Sequence, residues 1–333
     1  MAHHNSAFWV FFIMSIIPKP PALIFTDLDG SLLDHYSYSF EPAKRLLGDL
    51  ELANIPVVPA TSKTFAEVER LRIKLNNSHP FIVENGAAIA IPKNYFSRRP
   101  ESCYEKSGFW LIANSQPRQH WNKWLKENAA DFEGEFETFT NIVQSRGIKG
   151  IQDITGLNQD QAELSNQRDF SEPIHWLSSE QRKQAFIEKL TAAGGTLLQG
   201  GRFLALGGKV DKGSALLQLT ELYQQFLSLA KIHTLAIGDS GNDISMLDAA
   251  TSAILIRSNT HSAPRLRRDS NLITSHGVGP HGWAESVSFW LKNFLEIGST
   301  NYGWFSSKRY YYNITQFIKT TARGYGIWVS WIF

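Results

Sequence analysis

Two aspartates one residue apart, Asp27 and Asp29, close the apolar run Ala22-Leu23-Ile24-Phe25-Thr26, and Gly30 follows at once. A short apolar run ended by a turn signal reads as a buried strand. Successive side chains of a strand alternate faces, so the two carboxylates are expected on one face. Held that close, they repel unless a cation neutralises them. Carboxylate oxygens of this kind suit Mg²⁺. The competing reading is an acidic turn after a strand.

Three further stretches carry related chemistry. Thr61 follows the apolar run Ile55–Pro59, Lys212 precedes a helical pattern, and Gly238-Asp239-Ser240-Gly241-Asn242-Asp243 follows the run His233–Ile237. In open α/β sheets ligands lie beyond the carboxyl ends of the strands. A site there with several acids, one lysine and one hydroxyl suits a phosphate monoester and Mg²⁺. The acids would hold the metal, while metal and lysine neutralise the phosphoryl oxygens. A hydroxyl or an N–H at a helix N-terminus adds hydrogen bonds. Uncatalysed phosphate-monoester hydrolysis is so slow that enzymes accelerate it by up to about 10²¹-fold, so nucleophile, acid and metal must act together. Taken singly, Lys212 also reads as a solvated lysine, Thr61 as a helix N-cap, and Asp243 as an acid complementing a helix dipole.

The elements that must position these residues follow from periodicity. After Leu33, Pro42 opens a helix with Ala43, Leu46, Leu47 and Leu50 on one face. Thr64 and Glu67 form a capping box ahead of Phe65, Val68, Leu71 and Leu75. Phe81-Ile82-Val83 is a third strand, and Glu84-Asn85-Gly86 reads as a turn. Strand, helix, strand, helix, strand implies a parallel α/β core. From Pro92 the texture changes, with helices expected around Trp121, Trp124 and Leu125 and from Ser179 to Ala193. Residues 92–195 are therefore expected to form an inserted α+β unit. The α/β texture returns with a helix carrying Leu216, Leu219, Tyr223 and Phe226, strands at His233–Ile237 and Ala253–Ile256, a loop at Gly277–Trp283 and a last helix carrying Trp290, Leu291 and Phe294.

The whole chain sets the bounds. At 333 residues it is long enough for two domains, and its 43% hydrophobic and 19% charged content is that of a globular protein. A net charge of +2 offers no electrostatic case for nucleic acid. A single cysteine, Cys103, allows no internal disulfide and fits a reducing, cytoplasmic compartment; its thiol has no catalytic surroundings. The apolar stretch Ala7–Ile17 is shorter than the roughly 20 residues of a membrane span and lacks the features of a signal peptide. Met14 is expected to be the natural start. From Asn301 onward 11 of 33 residues are aromatic, against 12% overall, without a helix or strand period, and no function is assigned to them.

Asp27-Leu28-Asp29-Gly30-Ser31, a strand-end Thr61, Lys212 before a helix, and Gly238-Asp239-Ser240-Gly241-Asn242-Asp243 resemble the four ordered motifs of the haloacid dehalogenase (HAD) superfamily, over residues 22–296. The resemblance implies a HAD-like Rossmannoid parallel-sheet core, residues 21–91 and 196–298, carrying a subclass IIB (type C2B) α+β cap, residues 92–195. Residues 1–20 and 299–333, the N-terminal extension and the aromatic tail, depart from the pattern. By resemblance Asp27 is the nucleophile that forms an aspartyl-phosphate, and Asp29 is the general acid and base. Thr61 and Lys212 hold the phosphoryl group. Mg²⁺ is bound by the carboxylates of Asp27 and Asp239 and the backbone carbonyl of Asp29. Asp243 acts through metal-bound water or by positioning Lys212, and Asn242 orients phosphate or its neighbours.

Within the subclass, Ser62-Lys63-Thr64, Gln167-Arg168-Asp169-Phe170-Ser171-Glu172-Pro173, Gly201-Arg202-Phe203, Gly208-Lys209-Val210-Asp211-Lys212-Gly213 and Gly279-Pro280-His281-Gly282-Trp283 resemble the mannosyl-3-phosphoglycerate phosphatases. This implies a small phosphorylated glycoside as substrate and mannosylglycerate, a compatible solute, as product, with no nucleic-acid or membrane partner. Arg168 is then a carboxylate clamp, Glu172 an acceptor for sugar hydroxyls, Arg202 a further substrate contact and Lys63 a guide for the anion. The alternative for Arg168 and Glu172 is an ion pair with each other on the cap surface. Glucosyl-3-phosphoglycerate or another sugar phosphate remains open as substrate, as do phosphomannomutase chemistry and a non-catalytic binding protein.

Overall fold

The computed structural model describes residues 22–199 and 203–301. Met14 with the N-terminal extension, Arg202, and the aromatic tail from residue 302 lie outside them.

Strand β1 (Ala22–Thr26) is buried along its whole length. Its side chains enter two different cores. Ala22 and Ile24 pack with Leu46, Leu50, Trp283 and Val287, whereas Leu23 and Phe25 pack with Leu216, Leu219, Tyr223 and Met246. A strand apolar on both faces is stable only when helices cover both sides. It accordingly lies inside a five-stranded parallel sheet with β2 (Val57–Pro59), β11 (His233–Gly238), β12 (Ser252–Arg257) and β13 (Leu272–Val278), in the order β13-β12-β11-β1-β2. Helices α1 (Glu41–Leu52) and α9 (Gly279–Asn301) cover one face, and α7 (Lys212–Leu227) and α8 (Ile244–Ala249) the other. Helix α2 (Phe65–Leu75) begins with the expected capping box: Thr64 Oγ1 accepts from Glu67 N–H at 3.1 Å, and Glu67 Oε2 accepts from Thr64 N–H at 2.8 Å.

The last helix begins earlier than its sequence suggests. Pro280-His281-Gly282-Trp283 form its first turn rather than a loop. Trp283 is fully buried and donates from Nε1 to Thr26 Oγ1 at 3.0 Å, so burial of one indole under β1 draws the segment into the helix. Proline is tolerated there because a first-turn N–H has no helical acceptor.

Two further sheets carry the insertion. Strands β3 (Phe81–Val83), β4 (Ala88–Pro92), β5 (Cys103–Lys106) and β6 (Phe109–Ala113) form an antiparallel sheet, β3-β4-β6-β5, joined to the main sheet by a parallel bridge between Ala60 and Ile82. Strands β7 (Phe136–Thr138), β8 (Glu172–Trp176), β9 (Thr196–Gln199) and β10 (Leu204–Gly207) form a separate antiparallel sheet, β7-β8-β10-β9. Helices α3 (Arg118–Asn128) and α6 (Glu180–Ala192) cover it through Trp121, Leu125, Phe186 and Leu190. Helices α4 (Phe139–Thr155) and α5 (Gln159–Asn166) lie between β7 and β8 in the chain and bury Phe139, Ile142, Ile151 and Ala162 together.

Strand pairing runs across the expected cap boundaries. Strand β6 hydrogen-bonds to β4 and β5 to β6, on the core side, while β9 and β10 hydrogen-bond into the cap sheet. Composition changes where solvent exposure changes, but domain membership is decided by which backbone groups pair. Cys103 is buried against Ile112, and its thiol donates to Pro100 O at 3.1 Å, a packing role. Among the described residues no helix is long and apolar enough to cross a membrane.

Candidate active site

The carboxyl edge of the parallel sheet gathers the four motifs. β1 ends at Thr26, one residue before Asp27, so the two aspartates are not neighbours on a strand face as expected. Asp27 N–H still donates to Ile237 O at 2.8 Å, and the chain then turns, with Leu33 N–H donating to Leu28 O. Gly30 sits in that turn at φ +80°, and a Cβ there would stand 2.5 Å from Asp239 Oδ2. Glycine thus serves both the left-handed backbone and the close approach of the second aspartate loop.

Lys212, the first residue of α7, is fully buried. Its Nζ donates to Asp27 Oδ1 and to Asp243 Oδ1, both at 2.6 Å. Asp211 caps the helix by accepting Ser214 N–H at 2.7 Å, and Gly86 fits against it: a Cβ on Gly86 would stand 2.2 Å from Asp211 O. The other oxygen of Asp243 accepts the N–H groups of Asp239 at 3.1 Å and Ser240 at 3.0 Å. Of the two roles open to Asp243, the contacts made are those that position Lys212.

Carboxylate oxygens of Asp27, Asp239 and Asp243 lie within 4.8 Å of one another, all buried. Burial pushes the Asp27 carboxyl well above the usual range; Lys212 pulls it back, and Asp243, Asp239 and Asp29 add to the rise. Asp239 is raised as well, first by burial and then by Asp243. Burial would lower the Lys212 ammonium, but Asp243 and Asp27 hold it above its ordinary value. Three acids thus face one lysine, with His261 Nε2 3.1 Å from Asp239 Oδ2. Asp239 Oδ1 and Asp29 Oδ1 are buried without a hydrogen-bond partner. Surplus negative charge and orphaned hard oxygens fit a divalent cation of the Mg²⁺ type.

Asp29 stands apart from that cluster. Its Oδ2 pairs with Lys63 Nζ at 2.8 Å, and its side chain keeps 36% of its exposure, which suits a group that must meet both solvent and a leaving group. Lys63 also reaches Glu67 at 3.8 Å and lies over the Tyr38 ring. Burial would lower its ammonium, yet Asp29 and Glu67 hold it above its ordinary value. Thr61 is buried at the end of β2, its Oγ1 accepting Lys63 N–H at 3.2 Å. Asn242 donates from Nδ2 to Asn85 Oδ1 at 3.0 Å, so in this arrangement it braces the loop after β3.

The cap residues divide. Arg168 reaches the core: its NH1 donates to Ser62 O at 3.2 Å and to Ser171 Oγ at 3.1 Å, and lies 3.9 Å from Glu84 Oε2. Glu172 does not reach it. Its carboxylate is fully buried inside the cap and accepts from Arg118 Nε and NH2, Asn122 Nδ2, and Thr140 N–H and Oγ1. All its lone pairs are committed, so it is no sugar-hydroxyl acceptor, and it does not pair with Arg168 either. An acid beside an arginine in sequence is no guide here, since β8 turns Glu172 toward α3 and α4.

Glu84 and Asn85 carry more of the site than a turn signal conveys. Both are left-handed, at φ +48° and +58°. Their N–H groups donate to Lys63 O at 3.0 Å and Thr61 O at 2.9 Å, which ties them to the Thr61 loop. The available signal was the one that marked Asp27 and Asp239, an acid directly after a buried apolar strand.

The sequence matches the family model described as haloacid dehalogenase-like hydrolase over residues 24–106 and 113–265. It is 33% identical over 270 residues to the glucosyl-3-phosphoglycerate/mannosyl-3-phosphoglycerate phosphatase of Methanococcoides burtonii, covering 80% of this chain and 95% of that protein. It is 32% identical over 287 residues to the protein of the same name from Persephonella marina, covering 83% of this chain and 99% of that one. Among solved structures, the HAD subclass IIB sugar phosphatase BT4131 shares the fold with a TM-score of 0.55 at 15% identity, over 81% of this chain and 98% of that one.

Proposed function

The chain belongs to the haloacid dehalogenase-like hydrolases and is a phosphomonoesterase of that family, and on that premise we propose that it dephosphorylates mannosyl-3-phosphoglycerate, with the glucosyl compound as its near alternative. The observation that carries the chemistry is the buried Asp27–Lys212–Asp243 relay beside Asp239, with Asp29 held separately by Lys63. The substrate is suggested by the names of two relatives that cover most of both chains.

In this reading an Asp27 carboxylate oxygen attacks phosphorus, the ester P–O bond breaks, and Asp29 gives its proton to the departing alkoxide. Asp29 then takes a proton from water, which attacks the aspartyl-phosphate and releases inorganic phosphate and Asp27. Lys212 favours the ionised form of a buried Asp27 that would otherwise hold its proton. Thr61 and Lys212 would hold the phosphoryl oxygens. Asp27 and Asp239, with the backbone carbonyl of Asp29, would hold Mg²⁺, which offsets charge on the transferring phosphoryl group.

Arg168 would clamp the glycerate carboxylate through its planar fork, and Lys63 would guide the anionic substrate. Glu172 has no part in this. The cytoplasm, where the single thiol stays reduced, is the expected compartment.

The deciding experiment is phosphate release with Mg²⁺ across mannosyl-3-phosphoglycerate, glucosyl-3-phosphoglycerate, 3-phosphoglycerate and hexose phosphates. The glycosylated phosphoglycerates are expected to have the highest kcat/KM. Faster turnover of hexose phosphates would overturn the substrate assignment and leave the phosphatase intact.

A further inference from the structure

The Glu84 carboxylate belongs to the core but is bonded to the cap. It is completely buried and follows β3 directly. One oxygen accepts Asp169 N–H at 2.8 Å, and the other accepts Phe170 N–H at 3.2 Å and the Ser171 hydroxyl at 2.5 Å. Arg168, Asp169, Phe170 and Ser171 form the cap loop that runs from α5 into β8. Two consecutive backbone N–H groups and an adjacent hydroxyl converging on one carboxylate make an anion-binding nest, filled here by the protein's own side chain.

We infer that Glu84 is a positioning residue, which latches the cap loop against the phosphate-binding loop and thereby sets where Arg168 stands when a substrate with a long leaving group is bound. Three observations support a latch over a fold-stabilising contact. Glu84 is held in a left-handed conformation, which costs a non-glycine residue energy and persists where surrounding structure demands it. The same two-residue unit grips the Thr61 loop on the other side, through the Glu84 N–H to Lys63 O and the Asn85 N–H to Thr61 O. Finally, the space between cap and core beside Glu84, Ser115, Ser171 and Thr196 is only about 20 Å³. That is far below the roughly 300 Å³ of a small-molecule site, so the cap loop lies closed on the core around Glu84.

The loop has other ties at its margin, notably Lys106 with Asp169 and Thr64 Oγ1 donating to Leu164 O at 2.9 Å. Lys106 and Asp169 each keep about a third of their side-chain exposure, so water competes for that pair. The Glu84 carboxylate, by contrast, is fully buried. Replacing its carboxylate by an amide leaves one acceptor oxygen and places an NH₂ against N–H donors, which reverses the contact without changing its size.

The inference rests on the proposed reading for Arg168, and two readouts separate its failure from that of the reading. In Glu84→Gln, amide exchange in the segment 168–172 should quicken by about tenfold or more while α6 and α7 exchange as before. The ratio of kcat/KM for mannosyl-3-phosphoglycerate to that for 4-nitrophenyl phosphate should fall by about tenfold, with the loss mostly in KM. Unchanged exchange, or equal losses on both substrates, overturns the latch. If the wild-type enzyme ignores the glycosylated substrate, the substrate reading fails and exchange alone decides the latch. Ser171→Ala removes one donor and spares the carboxylate. It should show the same pattern at smaller amplitude, and it serves as the test if Glu84→Gln does not fold.

Discussion

At the scale of single residues the site is governed by a charge imbalance. Asp27, Asp239 and Asp243 surround one buried lysine; burial raises the pKa of Asp27 and Asp239, Asp243 adds to both, and Asp239 adds to that of Asp27. Two substitutions should therefore act in opposite directions on stability. Asp27→Asn removes the proposed nucleophile and one repelling charge. Phosphate release should drop by about three orders of magnitude or more, while the melting temperature without Mg²⁺ holds or rises. A variant that retained wild-type turnover would end the nucleophile assignment. Lys212→Gln removes the ammonium that faces these acids. Breaking a buried ion pair typically costs about 3–5 kcal/mol, so this variant should melt well below wild type in EDTA and recover part of the loss with Mg²⁺. Equal melting temperatures for Lys212→Gln and wild type in EDTA would mean that the acids are not ionised in the folded protein.

At the scale of elements, β11 carries a group that responds to acid from outside the site. His233 opens that strand and lies against the rings of Trp290 and Phe294 of α9, with centroids 5.7 and 4.9 Å away. Burial, with some help from Lys231, lowers its pKa to about 4. In the unfolded chain the value is about 6.5. Above the unfolded value both states are neutral and His233 contributes no pH dependence. Between the two values the unfolded state binds a proton that the folded state refuses, so stability falls as pH drops through that window and levels off below about 4. His233→Phe, which keeps the ring contacts, should flatten the acid limb of a plot of melting temperature against pH. An unaltered limb would place the acid sensitivity elsewhere.

At the scale of the whole molecule, core and cap meet where α5 and the loop 168–171 pack on α2 and the Thr61 loop. The parallel sheet presents the reacting groups at its carboxyl edge, and the antiparallel cap sheet brings Arg168 to within 3.2 Å of Ser62 O. A cap excludes water and reads the leaving group. Arg168→Ala should therefore lower kcat/KM for mannosyl-3-phosphoglycerate by about two orders of magnitude, as expected for a lost charged hydrogen-bonding partner, and change 4-nitrophenyl phosphate turnover little. Equal effects on both would make Arg168 a structural tie between cap and core.

Local chemistry in the sequence determined a great deal. Asp27, Lys212 and Asp239 stood out only together, as ordered motifs at strand ends and a helix start, since a lysine opening a helix is by itself more often a solvated one, and the capping box at Thr64 depends only on residues three apart. Element types followed from apolar periodicity, which local burial imposes. The limits of the cap did not, because β5 and β6 join the core and β9 joins the cap through backbone pairing with distant strands. Nor did the partners of long charged side chains: Glu172 turned inward to Arg118, and Glu84 gathered a loop 85 residues away. A carboxylate is the same in either setting until the fold decides which donors surround it. The reaction class was therefore legible from residue type and order, and the tertiary structure decided which charges gather at the carboxyl edge of the sheet and which hold the two bodies together.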